Sequence, residues 1–212
     1  MAKRAIRAHW RPVVGLAVAS VLATVLFVQC QGTKALDRKK GPEYAAELAS
    51  WKQAIDELAA DGMWLIARGY HVGDDLVAIA TNAPLSHASV LDKQRGQVIE
   101  AVGKGVVVTD LDDFVRDSHR LLIIEPASWT PERGREAVVK ARGKVGAGYD
   151  YLGIVGVPSE KHFYCSELAV WSMGVEVDRN GPQHVIHPKD MHRYGKVLFD
   201  SGERDTEPDF PR

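Results

Sequence analysis

The stretch "HASVLDKQRGQVIEAV", His87 to Val102, holds two short apolar runs separated by the charged tetrapeptide "KQRG". Each run has strand length and carries β-branched residues, and the joint ends in glycine. The pair therefore reads as two neighbouring strands connected by a tight turn. "KGVVVTDL", Lys104 to Leu111, follows closely as another strand. Strands in such close succession look antiparallel.

Working outward, "EYAAELASWKQAIDELAADG" places Ala45, Leu48, Trp51, Ile55 and Leu58 near helical spacing, and Gly62 ends the run. "MWLIARGYHVGDDLVAIAT", Met63 to Thr81, is broken into short apolar runs at Gly69 and Gly73 and reads as strand. Downstream, "DDFVRD" reads as a helical turn and "RLLIIEP" as a buried strand ended by Pro126. Thr130 as N-cap and Pro131 at the first helical position open a helix over "TPERGREAVVKARGKVG". "CSELAVWSMG" is a short helix stopped by Gly174, and "KVLFDSG" is a last strand. Helix, strands, two helices and a strand make an α+β fold, an antiparallel sheet packed against helices. There is no internal repeat and no low-complexity tract.

At 212 residues, 45% hydrophobic and 26% charged, the chain has the length and composition of a globular protein with a sizeable core. A formal net charge of -1, with basic residues scattered outside the N-terminus, gives no footprint for nucleic acid. The N-terminus is different. Lys3, Arg4, Arg7 and Arg11 precede an uncharged run from Pro12 to Val28. That is the pattern of a secretory or signal-anchor segment whose basic end stays in the cytoplasm. Val13 to Val28 would span ~24 Å as a helix, a little short of a ~30 Å hydrocarbon core, and Trp10 and Pro12 extend it into the interface. An uncleaved anchor, a lipoprotein modified at Cys30 and a secreted protein are all open, and all three export the remainder. The expected organisation is a signal or anchor segment over 1–30, a linker and helix over 31–61, a folded domain over 62–201 and a tail over 202–212. The expected location is a bacterial cell envelope, with the domain tethered on the periplasmic or extracellular side.

The chain has two cysteines, Cys30 and Cys165. Cys30 lies at the membrane end of the linker and Cys165 deep in the folded part, so a free thiol at Cys165 is expected. Such a thiol is a buried filler, a metal ligand or a nucleophile. A nucleophilic cysteine needs a base for its proton and a third group to orient that base. Lowering a thiol pKa by two units takes ~2.7 kcal/mol, part of which a helix N-terminus supplies. Cys165 stands at such a helix start, in "HFYCSEL". His87 heads one strand and Glu100 occupies the next, where the two side chains can meet on one face. Asp92, in the turn, is expected to be solvated, and Asp74 and Asp75 to lie near a strand start. Tyr149 and Tyr164 are candidates for lining the cleft.

Together, "GDDLVAIATNAPLSHASVLD", "VIEAVGKGV", "GYDYLG", "FYCSELAVW" and "HPKDM" resemble the circularly permuted NlpC/P60 cysteine hydrolases of the YiiX/YebB-like group. The resemblance covers about Met63 to Ser201. It implies a papain-like fold in permuted order, with the histidine strand before the cysteine helix. It also implies Cys165 as nucleophile, His87 as general base and Glu100 as the polar third member. The implied chemistry is acyl-enzyme hydrolysis of an amide or ester, with no metal and no organic cofactor. Candidate partners are a cell-wall peptide or a lipid-linked acyl group, together with the membrane through the N-terminal segment.

Three rivals stand beside this reading. His162, Cys165, His184, His187 and His192 form a loose set of potential zinc ligands. A non-catalytic binding module on the same fold is the second. The third is a lipid acyltransferase or thioesterase-like enzyme.

Overall fold

The computed structural model describes residues 36, 38–153, 159, 161–175 and 185–202. The basic and apolar N-terminal segment, Cys30, His184 and nearly all of the expected tail lie outside the described residues. Among those described, no helix is long and apolar enough to cross a membrane.

The elements run α1 (Pro42–Leu58), β1 (Trp64–Gly69), α2 (Val72–Thr81), β2 (His87–Asp92), β3 (Gln97–Val102), β4 (Gly105–Asp110), α3 (Leu111–Arg116) and β5 (Ser118–Pro126). They continue with α4 (Pro131–Arg142), β6 (Gly148–Tyr149), β7 (His162–Phe163), α5 (Cys165–Met173) and β8 (Gly195–Asp200). Six strands form one sheet in the order β4-β3-β2-β1-β5-β8, every neighbouring pair antiparallel. The "KQRG" turn is a short 3-10 segment over Lys93–Arg95 closed by Gly96 in the left-handed region.

Strand alternation divides the core in two. Trp64, Ile66, Val90, Ile99, Leu122 and Ile124 face α4 and α5, meeting Ala137, Leu168 and Ala169. Leu65, Leu91, Val98, Leu121 and Ile123 face α1 and α3, meeting Trp51, Ile55 and Phe114. The sheet is thus covered on both faces, which is why every residue of the central β1 is buried.

One expected strand is a helix. The Met63–Thr81 stretch forms β1 only as far as Gly69, and Val72–Thr81 is α2. A run of Ala, Val, Leu and Ile carries too little alternation to separate strand from helix. The two carboxylates decide it. Asp74 and Asp75 fall in the first turn, where the helix dipole favours them, and the Asp74 carboxylate accepts the N–H of His71 at 3.1 Å. Asp75 is also ion-paired with the buried Arg68 of β1.

Three contacts fix α5, the cysteine helix. The buried Trp64 indole N–H donates to the Ala169 carbonyl at 3.2 Å. Arg133 Nη2 donates to the Met173 carbonyl at 3.1 Å, satisfying an end group that the helix itself leaves open. Ser166 Oγ donates to the Ile186 carbonyl at 2.6 Å. The short parallel pair β6–β7 sets Tyr149 opposite Phe163, so "GYDYLG" lies alongside "HFYCSEL".

Gly134 of α4 lies against the loop that enters β1. A Cβ there would stand 2.1 Å from the Asp61 carbonyl oxygen and 2.7 Å from Trp129 Nε1, which itself donates to that carbonyl. In an unconstrained helix interior, glycine to alanine stabilises by ~1 kcal/mol. Here Gly134→Ala is expected to destabilise by about 1–3 kcal/mol through overpacking. Urea denaturation of the two proteins checks the sign.

Candidate active site

Cys165 is the first residue of α5, and Tyr164 is its N-cap. Glu167, at the third helical position, accepts the backbone N–H of Tyr164 at 3.4 Å, one arm of a capping box. Gly174, at φ 70, ends the helix in the left-handed conformation that glycine adopts without a Cβ penalty. All but one of the residues from Cys165 to Met173 are buried, so the thiol sits on a helix held from every side. Cys165 is a free thiol. An N–H at the first helical position has no partner within its helix and is available to an acceptor outside it.

His87 opens β2, where it pairs with Ala67 of β1. Glu100 of β3 lies opposite Ser89, two residues along the same face as His87. The contact is therefore diagonal, within reach of two long side chains. His87 Nε2 and Glu100 Oε2 are 2.6 Å apart. The other Glu100 oxygen accepts the hydroxyl proton of Thr109 on β4. Phe114 of α3 packs against the imidazole, with ring centroids 6.2 Å apart.

The electrostatics follow from this packing. Burial pushes the His87 imidazole down, but hydrogen bonding with Cys165 and Glu100, and their charges, hold it well above the ordinary histidine value. Burial pushes the Glu100 carboxyl up, but the hydrogen bond and charge of His87, then Thr109, bring it below the ordinary carboxylate value. Cys165 and Glu100 thus favour the protonated imidazole, and His87 and Thr109 favour the ionised carboxylate, against the burial of each. Glu100 takes Nε2, which leaves Nδ1 as the imidazole nitrogen for the thiol.

The fold therefore gathers Cys165, His87 and Glu100, with Tyr149 at their edge. Tyr149 is half-buried, and its ring meets Tyr151 edge-on at 4.8 Å. Burial and then the charge of Cys165 push its phenol far above the ordinary tyrosine value. Tyr164 is placed differently: it is buried, and its phenol oxygen accepts the Ile186 N–H at 3.3 Å. It braces the segment that enters the 3-10 turn at Pro188–Tyr194.

The other acids differ from expectation. Asp92 is only 1% exposed and is ion-paired with Arg95 and, at 2.5 Å, with Arg142 of α4. A turn carboxylate is drawn inward when a helix sets an arginine over it. Asp74 and Asp75 lie in the first turn of α2, and Asp74 Oδ1 accepts the hydroxyl of Ser86, the residue before His87.

Of the potential zinc ligands, His162 is exposed and its Nδ1 contacts Ser159 Oγ at 2.8 Å, while His192 Nδ1 donates to the Lys189 carbonyl at 2.7 Å. Among the described residues, no group of three or more His, Cys, Asp or Glu side chains is gathered as a metal-ion site.

Sequence reading did not single out Thr109 or Phe114, and it marked Asp150 only as part of the "YD" motif, with no role. Asp150 is buried, and its carboxylate accepts the N–H groups of Gly153 and Ser159 at 2.8 and 2.9 Å. That explains why an acid follows Tyr149: it ties Gly153 and Ser159 together beside the cysteine block. Thr109 had one legible signal, a hydroxyl within an apolar strand, but its partner depended on the strand register.

No protein-family model matches the chain, and no curated protein matches it. Among solved structures, the chain is similar to the metalloprotein yiiX from Escherichia coli O157:H7, at 20% sequence identity and a TM-score of 0.45. The match covers 53% of this chain and 63% of the length of that one.

Proposed function

We propose that this chain is an exported, membrane-tethered cysteine hydrolase with a papain-like fold of the NlpC/P60 type in permuted order. The observation that carries the reading is the juxtaposition at one sheet end: a thiol at a helix N-terminus, a half-buried imidazole beside it, and a carboxylate 2.6 Å from that imidazole. The chain order, histidine strand first and cysteine helix second, favours the permuted arrangement.

In the proposed mechanism the Cys165 proton rests on His87, and Glu100 stabilises the resulting imidazolium. The thiolate sulfur attacks the carbonyl carbon of an amide or ester, forming a C–S bond and an oxyanion. The Cys165 backbone N–H, at the positive end of α5, is a donor for that oxyanion. Collapse breaks the C–N or C–O bond as His87 protonates the leaving amine or alcohol. His87 then takes a proton from water, whose oxygen attacks the thioester. The C–S bond breaks, releasing a carboxylic acid and the thiolate. Tyr149 stands beside the sulfur, with the Tyr151 ring edge-on against it.

Cys165→Ala and His87→Ala are each expected to lower turnover of an amide or ester probe by about a thousandfold or more, with the domain still folded. Full turnover by either, with circular dichroism unchanged, sinks the mechanism. Mass spectrometry of Cys165 after exposure to cell-wall peptides and to phospholipids, in separate reactions, identifies the acyl donor.

The pH dependence gives a second test. The reactive form carries a proton on His87, so activity is lost on the alkaline side as that proton leaves. Because His87 is held well above 6.5, the alkaline limb of kcat/KM is expected well above that pH. Glu100→Gln removes a group that raises His87, so the limb is expected to move down in pH, with a smaller loss of rate than in the alanine variants. A limb that stays in place in Glu100→Gln contradicts the role given to the carboxylate.

A further inference from the structure

We infer that the end of the sheet carrying Cys165 and His87 faces a lipid surface, so that substrate enters from the membrane–water interface. The inference rests on the proposed reading of the N-terminal segment as a membrane tether and adds an orientation to it.

The antiparallel pairing defines the two ends of the molecule. Gly69, His87, Val102, Gly105, Ser118 and Asp200 lie at one end, and the Lys93–Arg95 turn and the last residue of α1, Leu58, at the other. Lys93 Nζ donates to the Asp56 and Ala59 carbonyls, tying that turn to the α1 terminus. The thiol and imidazole belong to the first end.

The linker is fastened at that same end. Arg38 is ion-paired with Asp117 at 2.6 Å, donates to the Arg116 carbonyl at 3.2 Å and lies 5.1 Å from the centre of the Tyr70 ring. Lys39 follows, paired with Glu47 at 3.2 Å and 6.0 Å from the Trp51 ring centre. Single exposed ion pairs hold weakly, but several contacts on consecutive residues act together. From Val28, the last residue of the apolar run, to Arg38 the chain reaches at most about 35 Å when extended. A domain held by such a tether approaches the bilayer with its fastened end nearer.

That end also exposes apolar side chains next to Tyr149 in sequence. Tyr151 and Leu152 are 64% and 62% exposed, and the Tyr151 hydroxyl donates to the Gly103 carbonyl in the β3–β4 turn at 2.8 Å. Lys104, exposed in that turn, adds a positive charge of the kind that anionic head groups attract. An aromatic and a leucine flanked by a lysine suit the interfacial layer, where amphipathic rings and long cations partition.

The test uses the full chain and phosphatidylcholine–phosphatidylglycerol vesicles whose acyl chains are brominated, a short-range quencher of indole fluorescence. Leu152→Trp puts a reporter at the catalytic end and Leu58→Trp at the far end, both at exposed positions. Co-flotation with the vesicles reads the tether, and quenching of the added emission reads the orientation. Quenching severalfold greater at 152 than at 58 is the expected result. Co-flotation with equal quenching, or with more at 58, overturns the orientation and leaves the tether standing. A chain that does not co-float overturns tether and orientation together, while adduct formation on Cys165 still judges the enzyme reading separately.

Discussion

A carboxylate buried in a sheet is the constraint on which this site rests. Glu100 sits on β3 among apolar neighbours, where an unpaired charge would cost several kcal/mol. It stays ionised because His87 reaches it diagonally from β2 and Thr109 from β4. Together with Cys165, the same contact raises His87 above the ordinary histidine value in spite of its burial. Each partner favours the charged form of the other, so the two are coupled. The thiol at the start of α5 completes the arrangement, its helix docked through the Trp64 indole and capped by Arg133.

The two-sided core makes that geometry rigid. Alternate residues of the central strands belong to opposite apolar clusters, so each strand is fixed in register by packing on both faces. A slip of one residue between β2 and β3 would carry Glu100 to the side of Ile99 and away from His87. Register, set by burial of Val90, Leu91, Val98 and Ile99, is therefore what aligns the polar pair. The strand ends then assemble residues remote in sequence: His87, Cys165, Tyr149 and the fastened linker share one end of the molecule.

Much of this was legible in the residues. The β2–β3 hairpin, the strand that follows it, the helix opened by Thr130 and Pro131, and the cysteine helix ended by Gly174 all carry local signals that packing reinforces. Val72–Thr81 was not legible, because its apolar residues lack a clear period and its capping carboxylates stand beside a glycine that suggests a break. Asp92 misled for a related reason: a turn acid is usually solvated, and only the approach of Arg142 from α4 makes it a buried anchor.

The sequence by itself determined the order of the elements, the apolar faces and the residue types able to do chemistry, because turns, caps and periodicity are short-range effects. It marked His87, Glu100 and Cys165 as candidates by type and by position on their elements. Tertiary structure alone decided that Glu100 meets His87 diagonally, that Thr109 completes the carboxylate, and that Tyr164 braces a loop while Tyr149 stands beside the thiol. Those outcomes depend on register and on helix docking. Both are set by burying two apolar faces at once, which no local stretch of the chain encodes.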